Sequence, residues 1–138
     1  MPDPHPAVRP TRSKSVLLVD DDAAMRRALT HTLQHAGYTV TIATDGAAAL
    51  RLMAIGPAID LLVVDIFMPE RDGFDVLDVL RRSPSPLPVL AISGGGVSTQ
   101  GDEALHQAQF LGARAVLTKP FAPEDFLAAV ARILAASP

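Results

Sequence analysis

The chain reads as an α/β fold, a parallel sheet of five strands with helices on both faces. Three observations carry that reading. Short, continuous apolar runs recur at 16–19, 61–64 and 89–92, as expected of strands buried on both faces. Each is followed by residues whose apolar positions repeat at helical spacing. Glycine and proline clusters close the units. Five strand–helix units in series imply a parallel sheet, because each helix returns the chain to start the next strand in the same direction.

Taken in order, "VLLV" (16–19) is the first strand. Met25, Leu29 and Leu33 then mark the inner face of a helix, and Gly37 stops it. "YTVTIAT" (38–44) alternates as a strand, and "DGAAALRLMA" (45–54) is a helix with Leu50 and Met53 inward. "IDLLVVDIF" (59–67) is the third strand and "GFDVLDVLRR" (73–82) an amphipathic helix. "SPSPLP" (83–88) breaks the chain before "VLAIS" (89–93). The loop "GGGVSTQGD" (94–102) leads to a helix reaching about Leu111, which Gly112 ends. "AVLT" (115–118) is the fifth strand. The last helix, 123–136, has Pro123 in its first turn with acids behind it, and Phe126, Val130 and Ile133 form its buried stripe.

Composition narrows the function. The 138 residues fit one domain with a substantial core. Residues 1–14, with four prolines, read as a flexible N-terminal leader, and 15–138 as the domain, with no second domain after the last helix. A net charge of −3 leaves no polyanion footprint, so direct nucleic-acid binding is not expected. There is no cysteine, hence no thiolate metal site, disulfide framework or cysteine nucleophile. No apolar run reaches membrane-spanning length and the leader lacks a signal-peptide core, so the expected location is the cytoplasm.

Chemistry in open parallel sheets gathers at the carboxyl ends of the strands. Strand 1 delivers Asp20, Asp21 and Asp22 there, strand 3 Asp65, strand 4 Ser93 and then Gly94, Gly95 and Gly96, and strand 5 Thr118, Lys119 and Pro120. Adjacent aspartates repel and raise one another's pKa unless a cation neutralises them. With a strand order of 2-1-3-4-5, three carboxylates, a hydroxyl and an ammonium share one cleft. Hard carboxylate oxygens suit Mg²⁺, which accepts phosphate oxygens as further ligands. A lone carboxylate can act as nucleophile and form an aspartyl phosphate. A lysine and a hydroxyl can hold the transferred oxygens.

"LLVDDD", "LLVVDIFMPERDGF", "LAISGG" and "LGARAVLTKPF" occur in that order. Together they resemble the receiver domain of two-component response regulators over about residues 15–136. The resemblance implies a flavodoxin-like (βα)5 three-layer sandwich with strand order 2-1-3-4-5. It implies a phosphoacceptor role for Asp65, and Mg²⁺ held by Asp20, Asp21, Asp65 and the backbone carbonyl of Phe67. Asp22 would face solvent or a metal-bound water. Ser93 takes the family's hydroxyl position and Lys119 its lysine, with a cis bond expected at Lys119–Pro120. Gly73 fits the turn after the acceptor loop, and Gly94 leaves room for the phosphoryl group.

Two positions depart from the family pattern. The aromatic switch position holds Val116, so signalling falls to Ser93 and the glycine-rich loop. The resemblance implies that Phe67 and Gly95 would border the cleft, one screening water and the other opening the site.

The expected function is phosphorelay signalling by a single-domain response regulator. It would take its phosphoryl group from a histidine kinase or a histidine phosphotransfer protein. It would pass the signal to a downstream protein target through the helix before strand 5, strand 5 and the last helix, with Arg114, Val116 and Arg132 as candidates. It would be a monomer or weak dimer, and a phosphoacceptor assisting its own chemistry rather than an enzyme. Two alternatives stand beside this. A haloacid-dehalogenase-type phosphatase would use Asp20, Asp22, Ser93 and Lys119, but leaves Asp65 and "MPERDG" unexplained. A degenerate receiver would act as a pure interaction module. His31 and His35, four apart on the first helix, read as a solvent-exposed pair, and Asp72, Asp75 and Asp78 as ordinary loop and surface acids.

Overall fold

The computed structural model describes residues 13–66, 72–81, 87–93 and 112–136. The elements are β1 (Ser15–Val19), α1 (Ala23–His35), β2 (Thr39–Ala43), α2 (Gly46–Ile55), β3 (Leu61–Asp65), α3 (Asp72–Arg81), β4 (Val89–Ser93), β5 (Ala115–Thr118) and α4 (Pro123–Ala136). All neighbouring strands pair in parallel, in the order β2-β1-β3-β4-β5. This is the flavodoxin-like order, and it puts β1, β3 and β4 in the middle of the sheet.

The central strands are apolar over 16–19, 61–64 and 89–92 because each is covered on both faces. Val16 and Leu18 of β1 and Leu61 and Val63 of β3 join a core with Leu29 and Leu33 of α1 and Phe126 and Val130 of α4. The alternate residues Leu17, Val19, Leu62 and Val64 pack with Ala49 of α2 and Val76 and Leu77 of α3. The result is three layers with two cores. Phe126, the largest fully buried side chain among the described residues, contributes roughly 2–3 kcal/mol by leaving water.

Helix ends follow local chemistry. Asp22 caps α1 and Asp45 caps α2 by accepting hydrogen bonds from backbone N–H groups of the first turn. Gly37 follows α1 with φ 99°, a left-handed conformation that suits glycine at a helix C-terminus.

Two readings change in detail. Strand 3 is shorter than the predicted 59–67. Asp60 instead clamps the start of β1: its Oδ2 accepts from Ser15 N at 2.7 Å, and its own N–H donates to Ser15 O at 2.8 Å. On α2 the buried residues are Gly46 and Ala49, while Leu50 and Met53, expected inward, pack partly buried against the same core. A small residue facing the sheet allows close approach, and the larger chains pack to either side. The predicted helix before Gly112, the loop 94–102, Phe67, Gly94, Gly95 and most of the leader lie outside the described residues.

Candidate functional site

The register of the sheet assembles the site. Val16 lies opposite Leu61 and Val19 opposite Val64, so the next residues at the carboxyl ends of these strands are Asp20 and Asp65. Both continue the alternation of Val16–Leu18 and Leu61–Val63, and so fall on the same side of the sheet. Lys119 likewise continues Ala115 and Leu117 of β5, which belong to that same core. A period of two along three strands thus converges two acids and a base.

Asp20 is fully buried. Its Oδ1 accepts from Asp22 N at 2.9 Å, while its buried Oδ2 has no hydrogen-bond partner among the described residues. Burial is the main cause that pushes its carboxyl from 3.8 up to about 6. The Asp22 N–H opposes that rise, the Asp65 charge adds to it, Lys119 counters it, and Asp21 adds a little more. Asp21 is exposed beside it. Asp22 is exposed too and acts as the α1 cap, its Oδ1 accepting from Ala24 N at 2.9 Å and Met25 N at 3.3 Å.

Asp65 is buried, and its Oδ2 lies 3.1 Å from Lys119 Nζ. The lysine side chain keeps 21% of its exposure against 6% for the aspartate, so the ammonium bridges the buried acid and the cleft mouth. Lys119 N donates to Ser93 O at 2.9 Å, tying the end of β4 to that of β5. Ser93 itself is fully buried, in register with Thr118. The Lys119–Pro120 bond is cis. Val116 is partly buried against the α2–α3 core.

One carboxylate oxygen from each of Asp20, Asp21 and Asp65 lies within 4.8 Å of the others. Three hard oxygen donors, one with a buried oxygen that has no partner among the described residues, fit a divalent cation that prefers oxygen. Reading the motifs missed Arg26. From α1 its Nη1 reaches back 2.9 Å to the carbonyl oxygen of Asp20, beyond the last pairing of β1. Its position one turn into the helix after the acidic pair was the available signal, but an arginine there reads equally well as a surface charge.

A sequence model of the response regulator receiver domain matches residues 16–131. The chain belongs to the response regulator receiver domain family. Response regulator MprA of Mycobacterium ulcerans is 38% identical over 122 residues, which is 88% of this chain and 50% of that protein. The chain therefore spans about half the length of the curated relatives of this kind that it matches. Among solved structures, a putative response regulator from Chloroflexus aurantiacus superposes with a TM-score of 0.81 at 31% identity, covering 90% of this chain and 99% of that one. The chemotaxis response regulator CheY4 of Vibrio cholerae superposes at 0.76 with 32% identity, covering 88% and 99%. Membership makes this a receiver domain of two-component phosphorelay signalling, and the phosphatase alternative loses its ground. Among the described residues no helix is long and apolar enough to cross a membrane.

Proposed function

We propose that Asp65 accepts a phosphoryl group from a histidine kinase or a histidine phosphotransfer protein. The observation that supports this most is the Lys119 ammonium held 3.1 Å from a buried Asp65 oxygen, beside two further carboxylates. An Asp65 oxygen would form the new P–O bond while the P–N bond of the donor's phosphohistidine breaks. The departing imidazole would recover its proton from solvent. Lys119 would hold negative charge on the transferred group, where a preorganised cation in a partly buried site is most effective. Ser93 would supply a hydroxyl to a phosphoryl oxygen. Asp20 and Asp21 would hold Mg²⁺ with Asp65 and the Phe67 carbonyl, and bound Mg²⁺ supplies charge neutralisation at the phosphoryl oxygens.

On this reading the domain is a phosphoacceptor that assists its own phosphorylation and dephosphorylation, acting in the cytoplasm. Its output is a population shift between two arrangements, read by a downstream protein. The exposed Arg114 and Arg132, which flank a groove of about 200 Å³ floored by Ala115, Ala129 and Ile133, are the candidate contacts.

The test is incubation with acetyl phosphate, with and without Mg²⁺, followed by intact mass beside Asp65→Ala. The expected result is a Mg²⁺-dependent gain of one phosphoryl group that the variant lacks. Absence of any gain, with hydrolysis trapped and a histidine phosphodonor also supplied, would leave the pure interaction module as the surviving reading.

A further inference from the structure

A second set of metal-ligating side chains stands on the outer face of α1, away from the cleft. His31 and His35 are one helical turn apart and both exposed. Leu29 and Leu33 of the same helix point into the core. The two imidazole rings lie with centroids 5.9 Å apart and planes inclined by 22°. No hydrogen bond to a described residue holds either ring.

Residues four apart on a helix are lateral neighbours, with Cβ atoms about 5–6 Å apart. An imidazole nitrogen binds a transition ion at about 2.0–2.1 Å. Two rings facing each other over the observed distance can therefore converge on one ion by turning about χ2, a soft torsion, without moving the backbone. Their exposure means that neither ring must first surrender a buried hydrogen bond, and water can complete the coordination.

We propose that His31 and His35 form a chelate for one divalent transition-metal ion of the Ni²⁺, Cu²⁺ and Zn²⁺ class. The donor atoms separate this site from the acidic cleft. Imidazole nitrogens favour the late first-row ions, whereas the carboxylates of Asp20, Asp21 and Asp65 suit Mg²⁺. Arg27, four residues before His31, is the nearby charge on the same helix that opposes the ion. Because the chelate exists only when residues 31 and 35 are helical, a bound ion stabilises the last turns of α1 by linkage.

The experiment titrates the full chain with NiCl₂ in millimolar Mg²⁺ at about pH 7.5. Backbone amide NMR signals report where the paramagnetic ion sits. The expected result is one Ni²⁺ per chain, with signals broadened around residues 31–35. His31→Ala and His35→Ala should each weaken binding at least about tenfold through loss of the chelate. Alanine on an exposed helix face keeps the helix intact. The proposal is overturned by binding that both variants retain unchanged, by broadening centred on Asp20 and Asp65, or by no binding at millimolar Ni²⁺.

Discussion

Two inner strands of this sheet, β1 and β3, end in a buried aspartate, and the protein treats the two ends differently. At the end of β3, Asp65 meets an ammonium supplied by the chain itself, 3.1 Å away. Just past the end of β1, Asp20 receives one backbone N–H on one oxygen and, among the described residues, nothing on the other. Its neighbours Asp65 and Asp21 add negative charge, and its pKa rises to about 6. One acid is paired with an ammonium of the chain, and the other keeps an oxygen without a partner among the described residues, which suits a cation from outside. A buried carboxylate without a full set of partners is costly. That cost is the physical argument for reading β1's end as a metal ligand and β3's end as the reactive group.

The sharpest way to break this comparison is Asp20→Asn. It removes the buried charge and, on the proposed reading, a metal-ligating carboxylate together. Outer partners of metal ligands alone are worth about 10–100-fold in affinity, so Mg²⁺ binding, followed by calorimetry, should weaken by roughly 100-fold or more. Metal-free stability above pH 7 should rise instead, by on the order of 1–2 kcal/mol in urea unfolding. A loss of both would mean that Asp20 is already satisfied inside the protein.

Lys119→Ala probes the other end. It leaves Asp65 buried without its cation, so phosphoryl uptake from acetyl phosphate should slow by roughly 100-fold, the scale for losing one preorganised charge partner. An unchanged rate would show that the ion pair is structural only.

The pH dependence separates the two acids in the unaltered protein. Asp20 has a folded pKa raised above its unfolded value, so between about 4 and 6 the folded state binds more protons than the unfolded one. Metal-free stability should therefore fall as pH rises through that window. Mg²⁺ affinity should run the opposite way and weaken as pH drops below about 6, because the ion competes with the proton. Parallel stability curves with and without Mg²⁺ across this range would remove Asp20 from the site.

The smallest effects should come from the supports. Asp22→Ala removes the α1 cap and should cost about 1 kcal/mol of stability with Mg²⁺ affinity nearly unchanged. Arg26→Ala frees the Asp20 carbonyl and should cost about 1 kcal/mol as well. It should also lower Mg²⁺ affinity by a few-fold, because the turn that presents Asp20 loosens. Equal Mg²⁺ affinity in the two variants would reduce Arg26 to a helix-end contact.

Much of this was legible in the chain because local chemistry and global fold agree. Continuous apolar runs flanked by helical spacing allow little besides a doubly covered parallel sheet, and "LLVDDD", "LLVVD", "LAIS" and "VLTKP" place acids, hydroxyl and lysine at strand ends. What each aspartate of the triplet does was less legible. Asp20, Asp21 and Asp22 are identical in sequence, but alternation buries Asp20, exposes Asp21 and leaves Asp22 to cap a helix. Reading along the chain placed Leu50 and Met53 inward, where they do pack against the core, but did not single out the more deeply buried Ala49, because closeness of a helix to a sheet is a property of the pair.

The amino-acid sequence alone determined the kinds of groups available, the strands that carry them and the end of the sheet at which they appear, since periodicity and turn chemistry are local. Only the tertiary structure decided which groups meet. The 3.1 Å approach of Lys119 to Asp65 joins residues from two strands separated by β4. The reach of Arg26 back to Asp20, and the Asp20 oxygen left without a partner among the described residues, depend on how a helix and a turn pack over the strand. Those distances, and the pKa that follows from them, arise from burial and register, which no stretch of residues specifies by itself.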